Sequence, residues 1–160
     1  MTLHQRLLAF SDRVNNLVEQ LLLVIGVVFS LILFAQVLAR YLGHSLSWSE
    51  ETGRYLLVAT TFLGSTVAYK RAHFIGLGGF GAKFGRVVER TIVRALQLLT
   101  LACFGFITWF GVGYTIKAWD QVSIAVQMPM SLPISVLPLS GAIFLLHVLV
   151  DLTKPWSAAA

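Results

Sequence analysis

Four stretches of roughly twenty mostly apolar residues, set apart by charged, glycine-rich or proline-rich pieces, leave this chain few ways to fold. A helix needs about 20 such residues to cross the ~30 Å hydrocarbon core of a bilayer. The first stretch runs from Leu17 to Ala39, with Glu19 its only charge. The second runs from about Trp48 to Tyr69 and the third from Ala95 to Ile116. The fourth covers Leu132 to Leu152, with His147 and Asp151 near its end. None alternates as a barrel strand does. The chain is 57% apolar and 12% charged, against about 45–50% and about 25% in an ordinary soluble domain. A soluble fold of this size keeps too much of its surface in water to hide that excess. The expectation is an all-α integral membrane protein: one membrane domain over 1–160 with four transmembrane helices, near 17–39, 48–69, 95–116 and 132–152. The first stretch is longer than the about 7–15 apolar residues of a signal peptide, and Arg40-Tyr41 makes a poor cleavage site, so a retained helix is expected. The single cysteine, Cys103, excludes an internal disulfide and a cysteine metal site.

Four crossings place both termini on one side. Arg6, Arg13, Lys70, Arg71, Lys83, Arg86, Arg90, Arg94 and Lys154 would share that side, against Arg40, Arg54 and Lys117 on the other. Basic residues favour the cytoplasm, so both termini are expected there. Trp109, Tyr114 and Trp119 fit an outer aromatic belt, and Trp156 an inner one. The net charge of +5 then serves orientation and lipid phosphates. Nucleic acid is not an expected partner, because no recognition motif accompanies the charge.

The connecting pieces carry the chemistry. Ser47-Trp48-Ser49-Glu50 reads as a capping box, in which Ser47 accepts from the Glu50 amide and Glu50 reaches back. Glu50 and Glu51 lie at the positive end of the second helix, within reach of Arg54. This is either a well-made helix start or a docking surface for another membrane chain. Adjacent carboxylates without a nucleophile make a weak acid–base pair. Gly76-Leu77-Gly78-Gly79-Phe80-Gly81 matches G-x-G-x-x-G in letters only, since the dinucleotide fingerprint needs a preceding strand. A flexible link is expected there. Beyond it Arg86, Arg90 and Arg94 form a stripe, and a helix from Lys83 to Lys117 would be about 52 Å long. Its first turns therefore read as a cytoplasmic, amphipathic basic arm, within the 70–94 connection, that meets lipid headgroups or a partner. Pro133 suits a helix start. Pro138 cannot donate to Ile134 and should loosen the fourth helix beside Ser140 and Gly141.

No span carries a carboxylate or basic group near its centre, where transport chemistry would need one. The hydroxyls of Thr60, Thr61, Ser65 and Thr66 can bond locally, and Thr60, Gly64 and Ala68 form a small-residue stripe. Alone, this chain is expected to move nothing. The other class in view is a membrane anchor of a redox complex, holding haem between His73 and His147.

One segment is distinctive: Arg40-Tyr41, then Ser47-Trp48-Ser49-Glu50-Glu51 with Arg54-Tyr55, Phe62-Leu63-Gly64, and Lys70-Arg71 before His73. Met128-Pro129 and Pro138 with Gly141 follow. On these residues the chain resembles the small membrane subunit of TRAP (tripartite ATP-independent periplasmic) transporters, the DctQ-like family. It departs at Thr52-Gly53, where an apolar pair is usual, and at Gly76, where an acidic residue is common. The resemblance implies a static scaffold in the bacterial inner membrane, forming a heterodimer with a large sodium-coupled, elevator-type symport subunit. A periplasmic substrate-binding protein delivers an organic acid to that pair. It implies no cofactor, no metal and no enzymatic activity. Arg40, Trp48, Glu50, Glu51, Arg54, Tyr55 and Gly64 become candidates for the partner interface. Lys70, Arg71, Arg86, Arg90 and Arg94 become candidates for lipid or partner binding, and Ser47, Met128, Pro129, Pro133, Pro138 and Gly141 for structural roles.

Overall fold

The computed structural model describes residues 3–44, 46–72 and 86–153. Among them the chain is helical, with α1 over Leu3–Tyr41, α2 over Ser47–Ala72, α3 over Arg86–Lys117, a single turn α4 over Ser131–Ile134, and α5 over Val136–Leu152. An isolated bridge pairs Val122 with Pro129 in the loop after α3. Three segments are long and apolar enough to cross a membrane: Gln5–Tyr41, Thr91–Lys117 and Ser131–Leu152. The second expected span, in α2, is long enough but falls short in apolarity. Its acidic start, its Lys70-Arg71 end and its run of threonine and serine dilute the aliphatic residues between them.

α1 starts far ahead of Leu17. Its 39 residues are about 58 Å long, nearly twice the hydrocarbon thickness. It stops at Gly43, whose φ of 81° is open to glycine. There the His44 amide returns to the Ala39 carbonyl and the Gly43 amide to that of Arg40, the paired bonds of a Schellman ending. α3 runs unbroken from Arg86, so the basic stretch up to Arg94 is continuous with the third span. The glycine-rich link, Lys83, His73, Lys154 and Trp156 lie outside the described residues, as do the side chains of Arg86 and Arg90.

The fourth stretch is interrupted where its proline requires. Ser135 keeps helical angles and its amide reaches Ser131, but the segment divides between Ile134 and Val136. The missing bond is the one Pro138 has no N–H to make. Past this gap α5 is the hub, packed on α3, α2 and α1, while α3 has α5 as its main neighbour. The α3–α5 contact is antiparallel and close. Phe104 stacks on Phe144 with ring centroids 3.8 Å apart. A Cβ on Gly141 would strike Thr108 Oγ1, and one on Gly111 would come within 3.2 Å of Pro138. The loosened turn thus admits α3. α1 and α2 are also antiparallel, with Phe29 over Gly53. Elsewhere α1 and α3 turn Leu31, Phe34, Val37, Leu98, Phe106 and Trp109 outward, an apolar surface suited to lipid.

Candidate functional site at the two helix ends

Charged and polar side chains gather where the helices end, in two clusters. At the outer one, Gln36 and Arg40 lie one turn apart on α1 and both reach Glu50 of α2. The Gln36 amide donates to Glu50 Oε1 at 3.3 Å, and the Arg40 guanidinium lies 3.6 Å from the same oxygen. Glu51 points elsewhere, because neighbours on a helix are about 100° apart. It accepts from the Tyr55 hydroxyl and, at 2.9 Å, from the backbone amide of Ala125. Tyr55 Oη also lies 3.2 Å from Met130 Sδ. The loop they hold is closed on itself: Ser123 N donates to Met128 O at 2.9 Å and Met130 N to Gln121 O at 2.8 Å. Gln127 takes a φ of 53° to make that turn. Glu51 is therefore a clamp between α2 and the loop.

The capping box does not form as expected. α2 begins at Ser47 itself, and both the amide and the hydroxyl of Ser49 donate to Leu46 O, at 3.1 and 2.7 Å. Glu50 turns to α1 instead of back to its own helix start. Arg54 is exposed and forms no ion pair with Glu50 or Glu51 among the described residues.

At the inner cluster Arg71 grips Glu19 with two nitrogens, Nε at 2.6 Å from Oε1 and Nη2 on Oε2. Asn15 donates to the same Oε1 at 2.7 Å. Lys70 Nζ lies 2.7 Å from Asp12 Oδ1 and donates to Ser11 Oγ at 2.7 Å. Ser11 Oγ in turn lies 2.9 Å from His147 Nδ1 of α5. Arg94 donates to the carbonyl of Leu152, the last residue of α5, at 3.2 Å, a favourable place for a cation at a helix end. From Glu19 to Arg40 the helix rises about 31 Å, close to the hydrocarbon thickness.

Between the two clusters the hydroxyls bond back to their own helix. Thr60, Thr61, Thr100, Thr108 and Thr115 each donate to the carbonyl four residues earlier. Ser65 and Thr66 donate to the one three residues earlier. Such bonding commits the hydroxyl protons locally, so none of these groups donates across the bundle.

A family model for the DctQ component of tripartite ATP-independent periplasmic transporters matches residues 29–158, most of the chain. The chain belongs to that family. A comparison with curated proteins finds no match. The DctQ match takes in the whole outer cluster, α2, α3 and α5. It leaves Ser11, Asp12, Asn15 and Glu19, the α1 side of the inner cluster, outside. As a DctQ component this chain is an integral membrane part of a transporter.

The expected site residues of this DctQ chain divide by what they touch. Glu51 and Tyr55 face inward to the loop, while Arg40, Trp48, Glu50 and Arg54 stay exposed. A Cβ on Gly64 would meet nothing within 4 Å, so its smallness serves no neighbour within the described residues. Lys70 and Arg71, expected at lipid or partner, are engaged by Asp12, Ser11 and Glu19. Met128 and Pro129 close the loop. Ser11 and Asn15 were not singled out from the sequence. Their signal was there, because Ser11, Asn15 and Glu19 fall at i, i+4 and i+8 on one face of α1.

Proposed function

We propose that the chain is the small, non-transporting membrane subunit of a TRAP-type secondary transporter for organic acid uptake. It crosses the bacterial inner membrane four times with both termini cytoplasmic, and steadies the large sodium-coupled subunit. One observation carries this reading: among the described residues, no charged side chain of the helices lies between two rims about 31 Å apart, and several pair within the chain. Between the rims the hydroxyls are turned back onto their own backbones. Among the described residues, a charged solute on such a route would meet no charged side chain between the rims to offset its desolvation. The same rims support a crossing by α2, since Glu50 and Arg71 stand level with Arg40 and Glu19 at opposite ends. The exposed Arg40–Glu50 pair, Trp48, Arg54 and the open face at Gly64 are the proposed docking surface for the large subunit. Arg86, Arg90 and Arg94 are assigned to lipid phosphates or the partner's cytoplasmic side. The periplasmic substrate-binding protein completes the system.

The test is purification of the tagged chain from native membranes in mild detergent, with mass spectrometry and an absorbance spectrum on one sample. A colourless, equimolar complex with one large polytopic protein is expected. Reconstituted alone in proteoliposomes, the chain should give no organic acid uptake. A haem spectrum with a soluble redox subunit, or a chain that emerges alone, would overturn the reading.

A further inference from the structure

His147 is an unusual residue for a membrane helix to bury. It is 2% exposed, its Nδ1 lies 2.9 Å from Ser11 Oγ, and its Nε2 has no hydrogen-bond partner among the described residues. It lines a cavity of about 200 Å³ between α1, α2 and α5, together with Ser11, Asp12, Lys70 and Asp151. The Ser11 hydroxyl accepts from Lys70 Nζ. The arrangement that uses every valence has the hydroxyl proton on Nδ1, which places the ring proton on Nε2. A buried N–H without an acceptor carries its full desolvation penalty, so something must accept from it.

The lining decides what that can be. An anion entering the cavity would face the carboxylates of Asp12 and Asp151. A cation would face the Lys70 ammonium and the Nε2–H. A neutral molecule that both donates and accepts suits all of these groups. Lys70 gives one proton to Ser11 and one to Asp12, which leaves a third, and carboxylates accept several bonds each. We infer that the cavity binds water: a small cluster, one molecule of which accepts from His147 Nε2–H and donates hydrogen bonds toward the carboxylates. The volume accommodates several molecules at about 30 Å³ each, and buried water typically makes about three such bonds. The contact of α1 with α5 is then a hydrated joint, independent of what the transporter carries.

Hydroxyl-radical footprinting by X-ray radiolysis, read by mass spectrometry on the full chain in lipid nanodiscs, tests this. Radicals born from bound water oxidise adjacent side chains even where bulk solvent does not reach. Val150 lines the cavity and is 3% exposed, as is Val18, which does not line it. Val150 should oxidise several-fold faster than Val18, and should keep doing so with a radical scavenger in the bulk. His147 should be oxidised despite its burial. Leu8 also lines the cavity, so Leu8→Phe, which fills it, should bring Val150 down to the rate of Val18. Equal rates for the two valines in the wild-type chain mean a dry cavity and overturn the inference, whether or not the variant folds. Loss of the Val150 signal with scavenger means bulk solvent and overturns it too.

Discussion

Glu50 and Glu51 are adjacent, alike and in different employment. Glu50 stays at the surface between Gln36 and Arg40, while Glu51 accepts from Tyr55 and from the Ala125 amide. An exposed ion pair contributes little to stability, whereas a lost acceptor leaves a loop amide without its partner. Glu51→Ala should therefore lower the thermal midpoint of the purified chain by more than Glu50→Ala does. Equal shifts would remove the clamp. In the assembled transporter the order should reverse, with Glu50→Ala costing more complex yield. At the inner rim, Arg71→Glu sets two carboxylates against each other, and adding Glu19→Arg should restore the thermal midpoint. No recovery in the double variant would mean that the pair contributes nothing. The sequence made these carboxylates conspicuous but not their partners. A capping box is a local pattern, and Glu50 leaves it for residues fourteen and ten positions back. Lys70 and Arg71 look like interfacial cations until α1, more than fifty residues earlier, presents Asp12 and Glu19. Long flexible side chains choose partners through the fold, which local spacing does not reveal.

The helices themselves were easier to read. Hydrophobic length located three spans, and Pro138 foretold the interruption between α4 and α5 through its missing N–H. Two features escaped. α1 begins fourteen residues ahead of its apolar run, because Ser11 and Asn15 are buried by other helices, which hydropathy alone does not register. α2 is diluted by Thr52, Thr60, Thr61, Ser65 and Thr66, which read as polar although each one bonds to its own helix. At the α3–α5 contact, Gly141→Ala forces a methyl onto Thr108 Oγ1 and should cost about 1–3 kcal/mol, the range for overpacking a tight contact. In a Thr108→Ala background most of that cost should vanish when unfolding is followed in detergent; an undiminished cost would place the clash elsewhere. Gly64→Ala is the converse case. With open space around it, it should leave the midpoint of the isolated chain unchanged and reduce recovery of the large subunit. Unchanged recovery would withdraw Gly64 from the docking surface.

At the scale of the whole molecule, the proposed four crossings make a definite prediction about sidedness. In a Cys103→Ala background, which removes the exposed native thiol, Leu42→Cys should react with an impermeant maleimide added to spheroplasts. Arg13→Cys should react only after the membrane is opened. Labelling of both from one side would refute the topology. The two charged rims have a further consequence. Each ties α1 to α2, by Glu50 with Gln36 and Arg40 at one end and by Arg71 with Glu19 at the other, so neither helix can slide along its neighbour without breaking a rim. A lone helix meets hydrophobic mismatch by tilting or shifting. A pair tied at both rims and packed together between them resists such a shift, so the surrounding lipid takes up more of the mismatch. The chain would then set the local thickness of the bilayer around itself.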